Sequence, residues 1–141
     1  MEPAKQEEET KIEYSTCPKC ACKGPNPGYV CLTDAAIEEE MATLKPSSHW
    51  VLSSDKKRIS RKFVCRNWQA AMDAIKAIGD VAESEGIKHH PDLHLTNYRE
   101  LEINIQTHSI QGLTNYDFLL ARGIDSVDID YSPKWLQENF V

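Results

Sequence analysis

Four of the five histidines fall between residues 89 and 108, as His89, His90, His94 and His108. Imidazole titrates near neutrality and can give or take a proton, so such a cluster suits acid–base chemistry at neutral pH. His89 and His90 leave one tight turn in different directions, and Pro91 fixes that turn. His108 stands at the far end of a strand that can return to it. Spacing alone leaves three readings open. The imidazoles are ordinary loop and strand residues, or they pass protons to and from a substrate, or three of them hold zinc or iron in a mononuclear metal enzyme. Neighbouring histidines chelate one ion poorly from a shared turn, and no His-x-x-x-His at helical spacing accompanies them.

The second group is sulfur. Cys17, Cys20, Cys22 and Cys31 crowd together around Gly24-Pro25-Asn26-Pro27-Gly28, which is turn material throughout. Thiolates a few residues apart suit a tetrahedral structural zinc, and the Gly/Pro loop can fold back to close the site. Only one Cys-x-x-Cys knuckle is present, so free thiols and redox use stand beside zinc as readings. Cys65 lies in a strand pattern and reads as a buried core thiol.

Elements must position these groups. Thr33 is a helix N-cap, with Ala36, Ile37, Met41 and Leu44 at helical spacing up to Pro46. His49 to Leu52 and Ile59 to Cys65 read as two short strands joined by the polar Ser53-Ser54-Asp55-Lys56-Lys57. Asn67 caps a second helix whose apolar stripe is Ala71, Met72, Ile75, Ile78, Val81 and Ala82, with Gly86 as its stop. Leu93 and Leu95, then Leu101, Ile103 and Ile105, alternate with polar residues and give two half-buried strands. Thr114 opens a helix with Phe118, Leu119 and Ala121 inward and Gly123 as its stop, and Ser132-Pro133 starts a last short one. Short links between neighbouring strands imply an antiparallel sheet. The expected fold is α+β, a two-layer sandwich with a four-stranded antiparallel sheet and helices packed on one face.

The chain has 141 residues and a formal charge of −6. That length fits one domain with its own core. Residues 1–16 read as a flexible acidic tail, 17–31 as a Cys-rich segment, 32–125 as the domain, and 126–141 as a C-terminal extension. No apolar run is long enough to span a bilayer, and the acidic balance disfavours direct binding to nucleic acid. The basic cluster Lys56-Lys57-Arg58 with Arg61-Lys62 reads as a solvated edge. An odd, crowded cysteine count argues against a secreted disulfide framework. The start Met-Glu-Pro-Ala-Lys-Gln-Glu-Glu-Glu-Thr has the character of neither a signal nor a transit peptide. The expected location is the cytoplasm, with the nucleus as a second address.

The run Glu85-Gly86-Ile87-Lys88-His89-His90-Pro91, followed by Tyr98, His108 and Asp117, resembles the signature of the pterin-4a-carbinolamine dehydratases. The resemblance extends from about Thr33 to about Gly123 and takes in Trp50 and the helix start Gly112-Leu113-Thr114. It implies the same α+β sandwich, assembled as homodimers or homotetramers. It implies dehydration of 4a-hydroxytetrahydrobiopterin to quinonoid dihydrobiopterin in tetrahydrobiopterin recycling, with no cofactor required. His89, His90 and His108 become the catalytic set, His89 and His108 as the acid–base pair and His90 as the group that orients substrate. Lys88, Gln106, Thr107, Ser109, Trp50 and Asp117 become substrate-binding candidates.

Some of these carry a second reading. Trp50 serves equally well as a core residue at a strand start, and Thr114-x-x-Asp117 reads as a capping box, which is the preferred role for Asp117. Two positions depart from the family pattern. Lys88 stands where many members carry Asp or Gly, and Tyr116 where animal members carry Arg. The rival function is a non-catalytic dimerisation or assembly factor on the same scaffold, a role the family also includes.

Overall fold

The computed structural model describes residues 30–139. In chain order these form α1 (Asp34–Met41), a single 3-10 turn (Pro46–Ser48), β1 (Val51–Leu52), β2 (Ile59–Val64), α2 (Trp68–Glu83), β3 (Asp92–Thr96), β4 (Glu100–Ile105), α3 (Asn115–Asp125) and α4 (Pro133–Asn139). The strands pair antiparallel in the order β1-β2-β4-β3. The two-layer α+β sandwich expected from periodicity is the one observed. The acidic tail 1–16 and the thiols Cys17, Cys20 and Cys22 lie outside the described residues.

Alternation decides which sheet face is covered. Ile59, Arg61 and Phe63 of β2 stand opposite Ile105, Ile103 and Leu101 of β4, and all six are buried. Their neighbours Ser60, Lys62, Glu100, Glu102 and Asn104 point the other way, and none is buried. The covered face meets Ala71, Ala74, Ile78 and Ala82 of α2 and Phe118, Leu120, Ala121 and Ile124 of α3. Each large apolar side chain so buried contributes about 1.5–3 kcal/mol. Small residues on α2 let that helix lie close to the sheet. Among the described residues no helix is long and apolar enough to cross a membrane.

The caps at Thr33, Asn67 and Thr114 form as their sequence positions predict, each side-chain oxygen accepting from a backbone N–H of the first turn. The stops differ. The second helix ends at Glu83 rather than at Gly86, which lies in the following turn with φ +88. Helix α3 runs through Gly123 to Asp125. Here glycine serves close packing: a Cβ on Gly123 would sit 2.7 Å from Cγ1 of Val81 on α2. The expected strand from His49 is only Val51–Leu52, because His49 adopts a left-handed φ of 59 after the 3-10 turn.

The segment read as a C-terminal extension is part of the packed body. Cys65 bridges to Tyr131, the Arg66 N–H donates to the Asp130 carbonyl, and the Ser132 N–H donates to Val64. The Tyr131 ring meets Phe63 edge-on at 5.6 Å and stacks on Trp135 at 5.1 Å.

Candidate active site

After α2 the chain doubles back beneath the helix's own end. The Ile87 and Lys88 N–H groups both donate to the Ser84 carbonyl, and the His89 N–H donates to Ala82, 3.0 Å away. Gly86 and Lys88, at φ +88 and +43, supply the left-handed backbone this reversal needs. The result is an imidazole inserted into the core: His89 is 7% exposed. Pro91 then sends the chain into β3.

A second tight loop meets the first. Thr107 pairs with Gly112 across residues 108–111, which carry His108 at the loop's exposed tip. From here α3 starts after its cap, Thr114, and its third residue, Asp117, is fully buried.

The two loops close on Asp117. Its Oδ1 lies 2.7 Å from Nε2 of His89, and its Oδ2 accepts from the Thr107 hydroxyl and the Thr114 N–H, both at 2.8 Å. The capping box expected at Thr114 and Asp117 is present, and the same carboxylate also holds a histidine. The two readings of Asp117 therefore describe one side chain. A carboxylate only accepts, so the shared proton sits on Nε2, and Nδ1 is the basic nitrogen of the neutral ring. The Thr107 hydroxyl spends its single hydrogen on Asp117, so Thr114 Oγ1, 2.9 Å away, donates to it. Tyr116 adds its ring 6.2 Å from that of His89.

His90 and His108 are both solvent-facing. His90 Nε2 lies 2.7 Å from Glu83 Oε1 at the end of α2. That hydrogen bond, with Lys88 and His90 charge behind it, holds the Glu83 carboxyl below the usual range. His108 Nε2 lies 3.5 Å from Asp92 Oδ2, on the residue that follows Pro91. One short segment, 89–92, is thus linked to all three imidazoles. His94 instead faces out from β3.

Gln106 and His108 line an open polar cleft of about 390 Å³ with Asp55, Lys57, Arg58 and Gln111. Lys88 and Ser109 are exposed beside the two loops. Trp50 goes elsewhere. Its indole N–H donates to Asp125 Oδ1 at 2.8 Å, together with the Ser48 hydroxyl at 2.6 Å. Asp125 also faces the buried Arg61 guanidinium at 3.6 Å. Eight residues of helix separate Asp125 from Asp117, about 12 Å, so Trp50, named above as a substrate-binding candidate, does not stand at the imidazoles. The tryptophan is a core residue at the opposite end of α3.

Sequence reasoning missed Glu83, Asp92, Lys57, Arg58 and Gln111. Asp92 was signalled by standing next to His-His-Pro, whereas the hairpin cations gave no signal because only the fold brings them to His108.

Among the described residues no three His, Cys, Asp or Glu side chains converge as a set of ligands. Cys31 is disulfide-bonded. The other three sulfurs of the zinc set expected of Cys17, Cys20, Cys22 and Cys31 lie outside the described residues.

Residues 31–127 match the family model described as pterin 4 alpha carbinolamine dehydratase. The chain belongs to that family. Family members of this name are hydro-lyases. "Pterin-4-alpha-carbinolamine dehydratase 2, mitochondrial" of Arabidopsis thaliana is 36% identical over 99 residues, 67% of this chain and 52% of the relative. The chain thus spans about half the length of that protein. A protein carrying the same family name from Halorhodospira halophila is 38% identical over 103 residues, 73% of this chain and 90% of the relative. Among solved structures, a transcriptional coactivator/pterin dehydratase from Brucella melitensis superimposes with a TM-score of 0.59 at 24% identity. It covers 68% of this chain and 96% of that one, and the likeness is one of fold. The resemblance read from His-His-Pro and its sequel is confirmed as family membership. The strand-like pairing of residues 130–132 with residues 64–66 lies beyond the matched segment.

Proposed function

We propose that the chain removes water from 4a-hydroxytetrahydrobiopterin to give quinonoid dihydrobiopterin, as a step in tetrahydrobiopterin recycling. The observation that carries this reading is the burial of His89 against Asp117 in the same turn that bears His90 and Asp92, with His108 drawn to Asp92. A buried carboxylate that fixes an imidazole's tautomer serves proton transfer better than it serves a surface loop.

In the reaction the C4a–O bond breaks and its electron pair leaves with oxygen. An imidazolium delivers the proton that makes the leaving group water. The N5 lone pair forms the new C=N bond, and a neutral imidazole takes the proton that a pterin nitrogen must then lose. Substrate equals product plus one water, so no oxidant or reductant enters. His89 and His108 act as acid and base, and their placement on two loops lets the ring lie between them. His90, held by Glu83, orients the substrate. Backbone groups of Gln106, His108 and Ser109, flanking Thr107 whose own N–H and carbonyl pair within the loop, bond the amide-like edge of the pterin. Each well-placed acid or base contributes about 10²–10⁴ in rate. The active species is taken to be a cytoplasmic homodimer or homotetramer.

The test is stopped-flow measurement of carbinolamine dehydration by the full chain, by His90→Ala and by His89→Ala/His108→Ala. Acceleration by the wild type and its loss in the double variant are expected. A wild-type rate equal to that in buffer overturns the reading.

A further inference from the structure

The cleft beside His108 carries charge that the dehydration itself does not use. Its walls are Lys57 and Arg58 from the β1–β2 hairpin, Asp55 from the same turn, and Gln106, His108 and Gln111 from the end of β4 and the loop beyond it. Their charges are not equivalent. Asp55 is bound within its own turn, where Oδ1 accepts from the Ser53 hydroxyl at 2.6 Å and the Lys57 N–H at 3.1 Å. The preceding cation, Lys56, is turned away toward Asp34 and Glu38 of α1, at 3.9 and 3.7 Å. Among the described residues neither Lys57 nor Arg58 forms an ion pair. In a chain of net charge −6, both cations face the cleft that His108 lines, where the acidic lining residue, Asp55, feels the Lys57 charge but is held within its own turn. Gln106 and Gln111 add amide donors that would bond the same anion.

Resting on the dehydratase reading of this site, we infer that the cleft holds an anionic side chain of the substrate. The preferred guest is a reduced pterin whose C6 substituent ends in a phosphate or carboxylate, and Lys57 and Arg58 are its specificity-determining residues. The bicyclic ring, which reacts between His89 and His108, is neutral at C4a and has no use for the two cations. The tail that projects from it passes His108 and meets them. Both cations are exposed, so each contact has the strength of a surface ion pair. Together they give about a tenfold preference for the charged tail at low ionic strength. Screening removes most of that preference at high salt.

The experiment compares 4a-carbinolamines of three tetrahydropterins, one with an uncharged dihydroxypropyl tail, one with the phosphate ester of that tail, and one with a glutamate-bearing tail. The readout is the ratio of kcat/KM for charged over uncharged substrate in low and high salt. Fluorescence titration with the corresponding unreactive dihydropterins is measured in parallel. A ratio of about ten that falls toward one in high salt, and in Lys57→Gln/Arg58→Gln, is the expected result. Lys134→Gln, a cation on α4, should keep the ratio. A preference for only one of the two anions supports the inference and identifies which source supplies the tail. Turnover of the uncharged substrate with a ratio near one overturns the inference and leaves the dehydratase reading intact. If no carbinolamine is turned over, that reading fails. The titrations then decide the cleft separately, with equal binding of charged and uncharged dihydropterins overturning it.

Discussion

Replacing Asp117 by Asn separates the two tasks of that side chain. The carboxylate faces three donors, His89 Nε2, the Thr107 hydroxyl and the Thr114 N–H. Asparagine offers one carbonyl oxygen and one NH2 group in the same shape, so one side must change partners. Turning the NH2 toward the helix start sets it against the Thr114 N–H, leaving a buried donor unpaired at about 1–3 kcal/mol. The favoured orientation keeps the oxygen on Thr107 and Thr114 and aims the NH2 at His89. Nε2 must then accept, and the imidazole proton moves to Nδ1. The cap survives with neutral bonds in place of charge-assisted ones, a loss of about 1–2 kcal/mol in unfolding free energy. The wrong tautomer should lower the dehydration rate by about 10²–10⁴. Urea denaturation and stopped-flow turnover on the same preparation read the two effects apart. A folded Asp117→Asn protein with turnover within about twofold of wild type, a difference under about half a kcal/mol, would refute the tautomer argument.

At the other end of α3, Asp125→Ala should cost about 3–5 kcal/mol, because it leaves the buried Arg61 cation without its carboxylate and strands the Ser48 and Trp50 donors. Chemical denaturation checks it, and a midpoint near wild type would contradict it. Cys65 is fully buried, and burial followed by Asp130 charge pushes its thiol up to about 11 from 9.0. The folded state therefore holds this proton more tightly than the unfolded one, and stability falls as pH rises from about 9 to 11, by about 3 kcal/mol in all. Wild type minus Cys65→Ala in alkaline denaturation should show that slope, and a parallel pair of curves would not fit. Gly123→Ala should destabilise through its 2.7 Å approach to Val81 despite the better helix propensity of alanine. In a double-mutant cycle with Val81→Ala the two changes should fail to add by about 0.5–3 kcal/mol, whereas simple additivity would show that the helices shift apart freely.

Much of this arrangement is legible before any coordinates. Side-chain alternation in Leu101, Ile103 and Ile105 and the caps at Asn67 and Thr114 are local signals, and local geometry obeyed them. Glycine misled twice, because its effect depends on neighbours: Gly123 looks like a helix stop but exists to admit Val81. Trp50 could not be assigned from sequence, since its partner Asp125 is 75 positions away. The imidazole cluster was visible as residue types. The carboxylates that hold it were harder to see: Asp117 read chiefly as a cap, and Asp92 and Glu83 drew no reading at all.

Helix α3 resembles a beam bolted at both ends. One bolt is the carboxylate that fixes the His89 ring, and the other is the carboxylate beneath Trp50 and Arg61. One residue of axial slip, about 1.5 Å, would shear both at once. The floor under the imidazole is therefore set as much by an indole at the far side of the domain as by anything beside it, and the pocket inherits its stiffness from that distant anchorage.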